Sequence, residues 1–146
     1  MNRRACFQQH VIIHNEIGQE VDWAYSRLGY VALREGNLTD AHQIFDETAR
    51  NFYKTGNITG LASKLEGIAS LNVLIGEPES AMHLIGWADA PREQIGVTRW
   101  RVEQADVDKI IAACLIKMGE VAFSDAYDEG QKMTLNEATA YALKED

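Results

Sequence analysis

Residues 25–49 read YSRLGYVALREGNLTDAHQIFDETA. Tyr25, Leu28, Gly29 and Ala32 recur at three- and four-residue spacing, the period of one helix face, and Ala41 and Phe45 do the same after Gly36. The spacing predicts a first helix from about Glu20 to Glu35, closed at Gly36-Asn37 as a glycine C-cap closes helices. A second helix should start with Thr39 as its N-cap and end near Gly56. The small residues Gly29, Ala32 and Ala41 let two antiparallel helices approach closely. Leu28, Ile44 and Phe45 would fill the space between them.

The unit recurs. Aligning Gly76 with Gly36 places Ile68 on Leu28, Ala69 on Gly29, Ala81 on Ala41 and Ile85 on Phe45. Upstream, Phe7 and Gly18 match Phe45 and Gly56, so residues 1–18 read as a second-type helix without its first partner. The pattern of a large residue, x2, Leu-Gly, x2, then Ala-x3-Phe resembles the tetratricopeptide (TPR) template. That resemblance implies a right-handed stack of helix pairs whose first helices line a concave face.

The expected architecture is all-α, a TPR-like α-solenoid of antiparallel helix pairs with about seven helices and a non-repeat C-terminal helical cap. It divides into an orphan helix (1–18), a repeat (20–56), a degenerate repeat (59–96) and the cap (97–146). Glu77-Pro78 should open a helix, since proline at its first turn loses nothing. Pro91 should kink or end that helix near Ala90. In the cap, residues 102–118 read as a helix burying Ala105, Val107, Ile110, Ile111, Cys114 and Leu115. A short helix over 121–128 should stop before Gly130, and Thr134-Leu135-Asn136-Glu137 is a capping box for a last helix to about Leu143. The orphan helix makes the sequence read as a piece of a longer array.

The strings KLEGIA, GEPESA, GEVAF and TLNEATAYAL make residues 20–143 similar to the C-terminal end of bacterial LuxR-like and STAND ATPase transcriptional and signalling regulators. The resemblance implies regulation, with any ATPase or DNA-binding chemistry in other domains. It implies a protein-interaction or sensor module that binds a peptide or protein on the concave face. The competing expectation is a structural module that dimerises through its N-terminal helix.

The net charge of −8 is not evenly spread: residues 1–36 balance, residues 37–100 carry −3 and residues 101–146 carry −5. With no Lys/Arg cluster, the expectation is no direct contact with nucleic acid. Apolar runs are only a few residues long, so neither a membrane partner nor a signal peptide is expected, and the location expected is cytoplasmic. Cys6 and Cys114 form no CxxC pair, in keeping with reduced, buried thiols.

No catalytic residues, cofactor or metal are expected. His10 and His14 share a helix face but lack a third ligand at fixed spacing. Asp125, Asp128 and Glu129 read as a solvated face, and His42 and His83 show no partner. The resemblance places Trp23, Ser26, Tyr30, Leu33 and Arg34, then Ser63, Glu66, Ser70, Val73 and Leu74, on the concave face. Arg27 and Arg34 suit carboxylates of an extended peptide. Phe7, Val11 and His14 are the candidates for self-association, which makes a homodimer the alternative partner.

Overall fold

A computed structural model describes residues 19–145 together with Arg3 and Cys6. Among the described residues there are seven helices and no strand: α1 (Gln19–Arg34), α2 (Leu38–Thr55), α3 (Ile58–Leu74), α4 (Pro78–Ile95), α5 (Arg101–Met118), α6 (Glu120–Lys132) and α7 (Leu135–Leu143). Phe7, His10, Val11 and His14 lie outside the described residues.

The first four helices are punctuated by one device. Gly36, Gly56, Gly76 and Gly96 fall at a regular interval, each with φ between 74° and 85°. That left-handed geometry costs an L-residue about 1–2 kcal/mol and glycine almost nothing. It lets Gly56 N–H reach Tyr53 O and Asn57 N–H reach Phe52 O, capping carbonyls left open by α2. The next helix starts at once. Asn57 Oδ1 accepts Gly60 N–H at 2.9 Å, and Asn37 Oδ1 accepts Asp40 N–H at 3.3 Å. Asn37 rather than Thr39 is therefore the N-cap of α2. Thr134 caps α7 as expected, its hydroxyl accepting Glu137 N–H at 3.1 Å.

Helices α1 to α4 pack each on the next, α5 lies on α3 and α4, and α6 runs along α4. Phe45 is fully buried between two glycines: a Cβ added to Gly29 or Gly67 would come within 2.7 Å or 3.0 Å of its ring. Ile44 is equally buried, whereas Leu28 is only half-buried. The centre is α3, buried without a break from Gly60 to Ala69. A helix covered on every side buries its polar residues too, here Lys64 and Glu66.

Three expectations are corrected. Helix α4 runs through Pro91 to Ile95. The proline removes a rung near the helix end, but the last turn is held from outside, because Arg92 is buried and paired with Glu66. Gly96 and Val97 also both donate to Arg92 O, at 2.8 and 3.0 Å. Helix α6 runs past Gly130, which is a packing residue and not a stop. A Cβ there would lie 2.0 Å from His83 O, and one at Gly86 would lie 2.2 Å from Tyr127 O. In α5, Val107, Ile110 and Cys114 are buried, while Ala105 and Leu115 face out, since α5 meets its neighbours along a narrower stripe. No helix among the described residues is long and apolar enough to cross a membrane.

Candidate functional site

Helix α1 carries Trp23, Ser26, Arg27, Tyr30 and Arg34 at helical spacing, and α5 carries Val102, Glu103 and Asp106 opposite them. Between the two helices lies a cleft of about 300 Å³. Trp23 forms one wall, its ring 5.1 Å from Phe52 and stacked on Trp100 at 6.4 Å with 20° between planes. Tyr30 stands edge-on to Phe45 at 4.9 Å and donates its hydroxyl to Ser63 O at 3.3 Å. Ser26 is buried, its hydroxyl donating to Trp23 O at 2.8 Å. Arg34 is exposed and reaches Asp106 at 3.3 Å. Arg27 is exposed at the rim.

Lys64 forms the floor. Its side chain is buried, and its Nζ lies 4.8 Å from the centre of the Tyr30 ring, 5.5 Å from Trp23 and 5.9 Å from Phe45. Aromatic faces attract an ammonium through their quadrupoles. Among the described residues, however, no carboxylate lies within ion-pair distance of it. Burial lowers the Lys64 pKa from 10.5 to about 8, against the pull of Glu103 and Glu66 and with a further push from Arg92. Burial also raises the Tyr30 phenol, with Glu103, Glu66 and Asp106 adding to the shift.

The residues expected from α3 are placed differently from those of α1. Ser63 is buried and donates to Glu103 at 2.9 Å, joining α3 to α5. Glu66 is buried and pairs with Arg92 and with Arg99, the latter at 2.8 Å. Burial pushes its carboxyl up in spite of both guanidiniums. Arg99 also pairs with Asp89, which accepts the Tyr127 hydroxyl at 2.6 Å. Ser70 donates to Glu66 O at 3.4 Å, Val73 is half-buried and Leu74 is exposed. Trp23 and Glu66 therefore belong to different features: an open aromatic cleft and an internal ionic clamp.

Lys64, Trp100 and Glu103 were not singled out by sequence reasoning. The available signal was in ITGLASKLEGIASLNVL, whose two charges interrupt an otherwise apolar and small-residue helix. His83 has partners after all: its two ring nitrogens meet Tyr141 Oη at 2.8 Å and Glu129 at 2.9 Å. His42 lies 3.2 Å from Asp46. No group of three metal-ligating side chains occurs among the described residues.

Over 85 residues the chain is 30% identical to proteins of Mycobacterium tuberculosis and Mycobacterium bovis, each named "Putative HTH-type transcriptional regulator". The similarity is to transcriptional regulators. The match takes in 58% of this chain, which spans 10% of the length of those relatives. No family model matches, and no solved structure matches. The relatives overturn the expectation of no direct nucleic-acid contact, because helix-turn-helix proteins place a helix against DNA. The charge argument behind that expectation spoke only for these 146 residues.

Proposed function

We propose that the chain is a non-catalytic sensor and protein-contact module of a transcriptional regulator. In this reading it is a TPR-like stack, with residues 20–56 and 59–96 as antiparallel pairs and 97–146 as the cap. The observation that carries the reading is the cleft between α1 and α5, walled by Trp23, Tyr30 and Trp100. Its size falls at the lower end of small-molecule sites. The hydroxyls around it are tied to neighbours, Ser26 to Trp23 O and Ser63 to Glu103, which favours binding over bond-making chemistry. The regular left-handed glycines and the short turns between α1 and α4 support the paired stack. The similarity to regulators supports the role. A peptide or protein segment would meet the module at the exposed rim, near Arg27 and Val31.

The test is a screen of small compounds, grouped by charge, read by tryptophan emission and thermal shift. Trp87 is buried in the core and serves as a constant background, while Trp100 is 67% exposed and reports the cleft. The expected result is saturable binding that Trp100→Ala abolishes with the fold intact by circular dichroism. A chain that responds to no compound of any class contradicts the reading.

A further inference from the structure

Among the described residues no carboxylate stands within ion-pair distance of the Lys64 ammonium, and Glu103 and Glu66 act on its charge only from further off. Burying an ammonium is costly unless it is paired and hydrogen-bonded. The Lys64 Nζ stands 4.8 Å from the centre of the Tyr30 ring, 5.5 Å from Trp23 and 5.9 Å from Phe45, rings that attract the charge but offer no lone-pair acceptor of ordinary strength. The same side chain, though only 1% exposed, lines the cleft, so an anion that enters the cleft comes up against it.

We propose that the cleft receives a small amphipathic monocarboxylate, its apolar body held among Trp23, Trp100, Val31 and Val102 and its carboxylate seated on the Lys64 ammonium. This rests on the reading of the cleft as a ligand site and adds the class of ligand. The walls suit an aryl or alkyl body, since the surface facing the space is largely apolar and carries Trp23, Tyr30, Val31, Trp100 and Val102. The floor selects the charge. A cationic ligand would be repelled by Lys64, and a neutral one would leave its charge uncompensated. The rim limits how much negative charge can enter. Glu103 accepts from Ser63 and Asp106 faces Arg34, so two carboxylates already stand at the entrance. A phosphate dianion would be repelled there more strongly than a monoanion. A single carboxylate matches a single buried cation.

The test uses this chain and a matched pair of probes, 3-phenylpropanoate and 3-phenylpropanamide, which differ in charge at one end. Affinities are measured by calorimetry for the wild type and for Lys64→Met, which keeps the length of the side chain. The acid should bind the wild type about tenfold or more tighter than the amide, the usual gain from a hydrogen bond to a charged group. Lys64→Met should hold the two probes within about twofold of each other on the same principle. Equal affinity of acid and amide for the wild type overturns the carboxylate assignment and leaves the cleft a ligand site. Absence of binding by both probes, in heat and in tryptophan emission, overturns the assignment and counts against the sensor reading. A Lys64→Met protein that still prefers the acid puts the anion elsewhere and overturns the assignment. If that variant does not fold, the nitrogen resonance of Lys64 Nζ decides: it must shift on adding the acid, and an unmoved resonance overturns the proposal.

Discussion

The ammonium of Lys64 lies 4.8 Å from the centre of the Tyr30 ring, on a helix that is buried around its whole circumference. That placement has a pH signature. Folding lowers the Lys64 pKa from 10.5 to about 8, so between those values the unfolded chain binds more protons than the folded one. Stability contributed through this group therefore rises as pH climbs from about 8 toward 10.5 and is flat below.

Relative to Lys64→Met, which has no such proton, the wild type should gain on the order of 3 kcal/mol between pH 7 and the top of that window. Urea melts of both proteins at pH 7, 8, 9 and 10 measure the gap. A gap that does not change with pH would mean that the lysine is solvated in the folded chain.

Gly86 and Gly130 bring α4 and α6 together backbone to backbone. On helix propensity alone, Gly→Ala in the interior of a helix stabilises by roughly 1 kcal/mol. Here the added methyl carbon meets a carbonyl oxygen at 2.2 Å or 2.0 Å, which no rotamer can relieve. Gly86→Ala and Gly130→Ala should each destabilise by about 3 kcal/mol, the upper end of overpacking costs. Thermal melts give the sign directly, and a stabilised Gly130→Ala protein would show that α6 does not lie against α4.

The two classes of ion pair should separate cleanly. Glu66 is buried with Arg92 and Arg99, so Glu66→Ala strands the Arg92 guanidinium, leaves Arg99 with Asp89 alone, and should cost about 3–5 kcal/mol. Arg50 and Glu145 pair on the surface, each side chain nearly half exposed. Arg50→Ala should cost less than about 1 kcal/mol. Chemical denaturation of both variants checks the ranking, and comparable losses would mean the Glu66 clamp is open to water.

Local rules reached some of this molecule and not the rest. The glycine at 36, the Gly29–Phe45 pairing and the Thr134 capping box follow from near-neighbour spacing, and the helices appear where those signals place them. Pro91 and Gly130 were misread because their local preference for ending a helix is outweighed by distant partners, Glu66 through Arg92 and the His83 carbonyl. The cleft was half legible. Trp23, Arg27, Tyr30 and Arg34 fall on one face by helical period, but Trp100 and Glu103 join them only through the path of residues 97–100. Lys64 was passed over because periodicity tells which face of a helix is apolar, and α3 has no exposed face along its middle, so only the pair of charges in an apolar run marked it.

The most direct measurement is an NMR titration of the six lysines, labelled with 15N at Nζ and 13C at Cε. The account predicts one lysine, assigned through Lys64→Met, whose Cε protons are shifted upfield by the surrounding rings and whose amine titrates near pH 8. Six lysines titrating as one set, with no upfield-shifted member, would remove the buried ammonium and the ligand cleft built on it.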